Sequence, residues 1–332
     1  MTPSVTHEVC LTNRIRAATL LKEDIGEIAG RLSTTYCNDE LRAKVGPEAR
    51  APYRRFLSSI IHRLNVTIQW ANLELNRIKN ENDETFSFAS DDKIIPLEEV
   101  FTNKKCLLED LLLVHRSLCE TGNEKTANGK VVDVIRKVCA FGLTLVPLDI
   151  RQESTRHTLA LDAITRYLGI GSYEQWDEVT RLSWLQRELV SNRPLIRKGD
   201  WRGHPDIFTD TVVDTLETFQ MIAEQKEDSL GAYVISHAHT ASDVLAVLLL
   251  QRDAGVKNLL RVVPLFETLG DLNGAADQIE TLFSLPAYKG VINGKQEIMI
   301  GYSDSAKDAG RLAASWAQYE TQEQLVRHWN SL

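Results

Sequence analysis

Beyond residue 140 the chain alternates between short apolar runs and longer segments of helical periodicity, and this alternation constrains the fold more than any other feature. Each apolar run precedes a helical pattern, and the runs cover residues 143–150, 232–238, 260–267 and 296–304. Strands that alternate with helices lie parallel and are joined by crossover helices. We therefore predict a strand–helix alternating part over residues 141–332.

The segments that follow the four predicted strands distinguish between the two common parallel folds. Neither a G-x-G-x-x-G segment nor a P-loop follows any of them, which argues against a nucleotide-binding doubly wound sheet. A barrel-type arrangement is favoured, although four strands cannot close the usual eight-stranded barrel. We predict a partial TIM-type (β/α) barrel within one continuous domain of a larger protein.

The first part of the chain, residues 1–140, is predicted to be helical. Apolar residues recur at steps of three and four between Leu11 and Leu32, and a second such stripe follows Pro52. This spacing is typical of amphipathic helices. Residues 76–96 are polar, acidic and without periodicity, so an exposed loop is expected there. The fold class is therefore mainly α with an α/β part, the barrel being surrounded by many extra helices.

Composition excludes several classes of function. The net charge is −8 and the pI is about 5.6, so the basic surface of a nucleic-acid-binding protein is not expected. No apolar run reaches transmembrane length, and the N-terminus lacks a secretory signal pattern. The five cysteines are scattered, which favours reduced, buried thiols in a cytoplasmic protein over disulfides or zinc.

Polar side chains that a core does not favour collect at the ends of the predicted strands. Arg151 follows the first strand, Glu267 ends the third, and Asp304 ends the fourth and is followed by Lys307. In parallel α/β folds, active sites lie at the carboxyl ends of the strands. Two carboxylates and two cations there predict a site for Mg²⁺ or Mn²⁺ and an anionic substrate, because hard divalent ions take oxygen ligands.

Simpler interpretations of these residues stay open. A charged residue at a strand end is commonly a solvated loop residue, and Thr268 could cap a helix beside Glu267. His237 and His239 have the spacing of two metal ligands on one side of a strand. Without a third ligand, the two histidines are better explained by capping or packing.

Four long segments also resemble a known family. LVPLDIRQESTRHT, VISHAHTASDVLAVLLLQ, RVVPLFETLGDL and IMIGYSDSAKDAGR occur in this order and are similar to the central region of phosphoenolpyruvate carboxylase. The resemblance is weak before about residue 130 and strong after it. It implies an eight-stranded barrel surrounded by many extra helices.

The resemblance also implies a reaction and a role for each site residue. The family converts phosphoenolpyruvate and bicarbonate to oxaloacetate and phosphate, which replenishes the tricarboxylic acid cycle. Glu267 and Asp304 would bind Mg²⁺ or Mn²⁺, which stabilises an enolate oxygen. Arg151 would face the substrate, and Lys307 would lie beside the reacting groups.

The departures from the family pattern are specific. The chain contains neither the A-H-P-T segment with the family's histidine nor the G-R-G-G-x-x-G-R-G-G loop, and His237 stands where the family usually has methionine. We therefore expect a central fragment of a longer enzyme, with little turnover on its own. One alternative is a non-catalytic remnant or regulatory partner that forms homo-oligomers or associates with full-length carboxylase subunits. A complete small metal-dependent lyase on an irregular barrel is disfavoured, because four strands do not close.

Overall fold

The structure, a computed structural model, describes residues 3–80, 95–191, 193–226 and 228–330. These residues are mostly helical and include a parallel four-stranded sheet, so the prediction of a mainly α fold with an α/β part is confirmed. Two compact units are present. The first comprises residues 3–147 with 226–229, and the second comprises residues 148–225 and 230–330.

The first unit is built on two long amphipathic helices, as their apolar stripes predict. Helix α1 (Pro3–Arg31) packs along α3 (Pro52–Asn80), and their apolar faces form one core with the following helices. The other helices of this unit are α2 (Asp39–Val45), α4 (Lys104–Glu120), the single turn α5 (Glu124–Thr126) and α6 (Val132–Phe141). Residues 76–80 of the predicted loop belong to α3, and residues 81–94 of that loop lie outside the described residues.

One buried charge ties the first unit together. Arg14, which is 2% exposed, donates hydrogen bonds to the carbonyl of Phe101 (3.1 Å) and to the hydroxyl of Ser229 (3.3 Å). A guanidinium is expensive to bury unless its N–H groups find acceptors. These contacts therefore hold a short returning segment of the chain against α1.

The second unit is a parallel sheet with flanking helices. Its strands pair in the order β1-β2-β3-β4, and each neighbouring pair is parallel. The elements are β1 (Leu148–Glu153), α7 (Ser154–Tyr167), α8 (Glu178–Val190), α9 (Asp210–Glu224), β2 (Leu230–Ser236), α10 (Ala241–Asp253), β3 (Arg261–Phe266), α11 (Leu269–Ser284), α12 (Pro286–Ile292), β4 (Met299–Ile300), α13 (Tyr302–Ala309) and α14 (Arg311–Asn330).

Alternation along the strands separates the two faces of the sheet. The side chains of Tyr233, Ile235 and Phe266 join the large core formed with the helices. The neighbours between them form a small second cluster on the other face, made by Ala232, Val234, Val263 and Leu265. Because side chains alternate between faces, Arg151 and Glu267 are directed to the face of this second cluster.

The first strand starts later than the prediction of 143–150. Residues 143–147 form turns, since Leu145 has a left-handed φ of 63° and Pro147 has no N–H to donate. The strand covers Leu148–Glu153 instead. Arg151 therefore lies within β1 and not after it.

The predicted strand 296–304 is also mostly wrong. The strand is reduced to Met299–Ile300, and helix α13 begins at Tyr302. The Ser305 hydroxyl donates to the carbonyl of Gly301 (2.7 Å), which supports the first helical turn. The helical segment that follows this run is divided into α13 and α14, which are separated at Gly310 with φ 78°.

None of the helices in the described ranges combines the length and the apolar composition needed to cross a bilayer.

Candidate active site

Glu267 stands directly after β3, where the strand gives way to the N-terminus of α11. Its side chain is 10% exposed, and Oε2 accepts a hydrogen bond from Nη2 of Arg151 at 3.4 Å. The other oxygen, Oε1, is buried and has no hydrogen-bond partner within the described ranges. A buried carboxylate oxygen without a donor is costly. Glu267 is therefore suited to a ligand that would supply positive charge.

Arg151 reaches Glu267 from a strand two places away in the sheet. It pairs with Val234 of β2, and β2 separates it from β3. Its neighbour Ile150 is buried on the helix-covered face, so the guanidinium lies on the opposite face. The Arg151 side chain is 56% exposed, which leaves the guanidinium accessible to an anionic ligand.

Asp304 and Lys307 lie on one exposed face of α13. Lys307 Nζ is 3.1 Å from Asp304 Oδ1, and the two side chains are 76% and 49% exposed. The hydrogen bond from Lys307 and its charge hold the pKa of Asp304 below its usual value, and the charge of Arg151 contributes in the same direction. The Asp304 carboxylate is therefore within the electrostatic reach of Arg151.

A close backbone contact places the start of α13 beside Glu267. The Gly301 amide donates to the carbonyl of Phe266 at 2.8 Å. A Cβ atom at Gly301 would lie 3.2 Å from Glu267 Cα. Four predicted site residues thus lie along the carboxyl ends of β1, β3 and β4, with two pairs in contact: Arg151 with Glu267, and Asp304 with Lys307.

Two aspartates that hold this region together were missed as site residues. Asp271 forms a capping box with Thr268 at the start of α11, and its Oδ2 also accepts from the Glu267 amide at 3.3 Å. Asp308 accepts from the Leu269 amide at 2.9 Å and so joins α13 to α11. The spacing Thr-x-x-Asp could have revealed Asp271. No local signal marks Asp308, because its partner is distant in sequence.

The family resemblance implies a divalent ion, and the carboxylates of the site can be compared with the ligands that such an ion prefers. No cluster of three or more His, Cys, Asp and Glu side chains suitable for a metal occurs within the described ranges. Glu267 nevertheless offers a buried oxygen without a donor, and Asp304 offers exposed carboxylate oxygens on the adjoining helix. One or two carboxylates completed by water and substrate oxygens are typical of Mg²⁺ sites. The donor set therefore fits such an ion.

Comparison with known proteins gives one consistent result. The family model described as phosphoenolpyruvate carboxylase matches residues 1–331. Phosphoenolpyruvate carboxylase of Acinetobacter baylyi is 46% identical over 332 residues, covering 98% of this chain and 35% of the relative. Phosphoenolpyruvate carboxylase 2 of Arabidopsis thaliana is 45% identical, covering 98% of this chain and 34% of the relative.

The C4 phosphoenolpyruvate carboxylase of Flaveria trinervia is 44% identical, with 98% of this chain and 34% of the relative covered. The chain thus spans about a third of the length of the curated relatives it matches. The match extends over almost every residue of the chain, the strand ends with Arg151, Glu267 and Asp304 included. The chain therefore belongs to the phosphoenolpyruvate carboxylase family.

Proposed function

We propose that this chain carries the metal-binding and phosphate-facing part of a site that converts phosphoenolpyruvate and bicarbonate to oxaloacetate and phosphate. The observation that carries the proposal is the buried Oε1 of Glu267, which has no hydrogen-bond partner among the described residues. It lies beside a cation, Arg151, and beside the helix that bears Asp304. The reaction is that of the family to which the chain belongs.

Each side chain has a role that follows from its exposure. Glu267 and Asp304 would hold Mg²⁺ or Mn²⁺, with Glu267 as the fixed ligand and Asp304 as the solvent-facing one. When bound, the ion supplies Lewis-acid stabilisation of negative charge that develops on a substrate oxygen. Arg151 offers a planar set of N–H donors that suits a phosphoryl group. Lys307 is an exposed cation at the same edge. Its ammonium group would bind a substrate oxygen in place of Asp304.

The strand order supports the architecture that this proposal needs. In a doubly wound sheet the order reverses at a switch point, and ligands bind there. The order β1-β2-β3-β4 follows the chain without reversal. We propose that these strands are a segment of a TIM-type barrel, in which strand ends from several strands converge on one site.

Titration with Mn²⁺ tests the metal-binding assignment. We expect the Glu267→Gln variant of the 332-residue chain to bind Mn²⁺ at least tenfold more weakly than wild type, because the buried oxygen loses its charge. Asp304→Asn should have a smaller effect. Glu297→Gln is the matched control, since Glu297 is an exposed partner of Arg261 beside the start of β3. Equal affinity for wild type and Glu267→Gln would refute the assignment.

Turnover is a separate question from metal binding. The 332 residues contain no A-H-P-T segment and no G-R-G-G segment, which the family resemblance associates with catalysis. We therefore expect negligible oxaloacetate formation by this chain alone in an assay coupled to malate dehydrogenase. Formation of oxaloacetate that depends on bicarbonate would contradict this expectation.

A second candidate function is association, through α14, with copies of this chain or with full-length carboxylase subunits. Helix α14 carries an exposed stripe at helical spacing, made by Leu312 (88% exposed), Trp316 (65%) and Tyr319 (55%). Contiguous exposed apolar side chains often mark interaction surfaces. Replacing Leu312 and Trp316 with serine should abolish co-purification with a full-length carboxylase. A monodisperse chain that ignores that enzyme would count against this candidate.

A further inference from the structure

His239, just after β2, has a ring whose orientation is set by a buried carboxylate. Its Nδ1 atom lies 2.8 Å from Oδ1 of Asp271, whose side chain is 3% exposed, whereas the His239 side chain is 57% exposed. One side of the imidazole is therefore anchored in the protein. The rest of the ring is largely exposed, with the His237 ring 6.0 Å away between centroids.

The hydrogen bonds around Asp271 decide how His239 contacts it. Its Oδ2 accepts from the amides of Thr268 and Glu267, and its carboxylate belongs to the capping box at the start of α11. Asp271 is therefore an ionised carboxylate that only accepts hydrogen bonds. His239 must then donate from Nδ1, which leaves Nε2 for another partner.

The same carboxylate joins His239 to the proposed metal ligand. Asp271 Oδ1 accepts from the His239 ring, while Oδ2 accepts from the amides of Thr268 (2.9 Å) and Glu267 (3.3 Å). Since β2 and β3 are neighbouring parallel strands, His239 and Glu267 follow the carboxyl ends of adjacent strands. The Asp271 carboxylate therefore contacts both the His239 ring and the backbone amide of Glu267.

Helix capping does not account for the ring. The cap of α10 uses the main-chain amides of His239 and Thr240, which donate to Asp243 Oδ2 at 2.9 and 3.0 Å. Any residue other than proline at position 239 would supply that amide. His237 differs, because its left-handed φ of 52° and its carbonyl, which accepts from Ser154 at 2.6 Å, shape the turn.

We propose that His239 is a further ligand-binding residue of the site: with both ring nitrogens protonated, Nδ1 donates to Asp271 and Nε2 donates to an oxygen of the phosphoryl group or of bicarbonate. The proposal rests on the function proposed above. Asp271 is the positioning residue, since it fixes the ring without reaching the ligand. The shared chemistry of the two ligands is a small oxyanion, and separate titrations distinguish them.

Nitrogen NMR of the histidine-labelled 332-residue chain tests this assignment. Phosphoenolpyruvate, and in a separate arm bicarbonate, is titrated in the presence of Mg²⁺. We expect the Nε2 resonance of His239 to shift and saturate with one of them, while His237 is unaffected. His239→Gln, which identifies the resonance, should weaken binding of that ligand about tenfold, the scale of one hydrogen bond to a charged group.

The controls separate this inference from the proposed function. His237→Asn should retain wild-type ligand affinity, because asparagine tolerates the left-handed conformation. His239→Gln should retain the Mn²⁺ affinity of wild type. Ligand binding that leaves Nε2 unshifted, or that His239→Gln does not weaken, overturns the inference alone. A wild-type chain that binds neither the metal nor either oxyanion overturns the proposed function and the inference together.

Discussion

The second unit has two kinds of polar side chain: a buried network beneath the helices, and charged groups at the carboxyl ends of the strands. Beneath the helices, His157 Nε2 and the Tyr233 hydroxyl are 2.8 Å apart, and that hydroxyl donates to Gln152 Oε1 at 2.8 Å. Gln152 donates in turn to the Thr218 hydroxyl at 3.2 Å, and Thr218 to the carbonyl of Asp214. All donors point the same way, so this buried chain is neutral, and the only one of its atoms that is buried without a partner among the described residues is His157 Nδ1.

At the carboxyl ends of the strands, the polar groups are charged instead. Glu267 keeps a buried oxygen without a donor in the described part of the chain, and Asp304 and Lys307 are exposed. A neutral, hydrogen-bonded network stabilises an interior. Charged groups with unused bonding capacity favour binding over stability. The buried network therefore contributes to stability, and the charged strand ends are where we propose that a ligand binds.

The largest predicted effect is on acid unfolding, because the buried hydrogen-bonded network contains His157. Burial lowers the pKa of His157 from 6.5 to about 3, so the unfolded state takes up a proton first as the pH falls. His157 therefore stabilises the fold fully above about pH 6.5, and this contribution, roughly 3 to 5 kcal/mol, is lost as the pH falls toward 3. Urea unfolding near pH 5 should show a dependence on pH steeper by about 1.4 kcal/mol per pH unit in wild type than in His157→Leu.

A matched control defines this effect. His204 is exposed in the same unit, where its ring packs on Tyr167. His204→Gln should keep the wild-type dependence on pH even if its stability changes. Identical slopes for wild type and His157→Leu would mean that the buried imidazole does not govern acid stability.

Gly301→Ala should disturb the charged edge with a smaller loss of stability. The new Cβ would meet Glu267 Cα at 3.2 Å and the Phe266 carbonyl oxygen at 3.4 Å, and both are backbone atoms. Overpacking of this kind costs roughly 1 to 3 kcal/mol, and Mn²⁺ affinity should fall because Glu267 shifts. Gly290→Ala has no atom within 4 Å of its Cβ and should be neutral or slightly stabilising. Equal unfolding curves for the two variants would show that the backbone contact at Gly301 is loose.

Lys307→Ala should have the smallest effect on stability. Its ion pair with Asp304 is exposed, and such pairs contribute little. We expect an unchanged unfolding midpoint, a rise in the pKa of Asp304 as its main hydrogen bond is lost, and weaker binding of phosphoenolpyruvate with Mn²⁺ affinity retained. Lys289→Ala, on exposed α12, serves as the control for a lost surface charge. A lower midpoint specific to Lys307→Ala would give this lysine a structural role.

Several features of the fold and the site could be read from local patterns. The amphipathic stripes predicted α1 and α3, and the apolar runs predicted β2 and β3 within a few residues. Glu267 was predicted as the last residue of the third strand and lies directly after β3, so its place at the carboxyl end of that strand is confirmed. The pattern was wrong where hydrophobicity and backbone geometry conflict: the run 143–147 is apolar, yet Pro147 and the left-handed Leu145 prevent a strand there.

The sequence by itself determined the alternation of strands and helices, the family, and the residue types at the strand ends, because these depend on periodicity and on local motifs. Only the tertiary structure brought Arg151 to Glu267 across β2 and His239 to Asp271 between neighbouring strand ends. It also placed Asp304 and Lys307 in α13, where the sequence predicted the end of a strand. These features depend on contacts between residues that are distant in the chain, and such contacts form only once the strands pair and the helices pack.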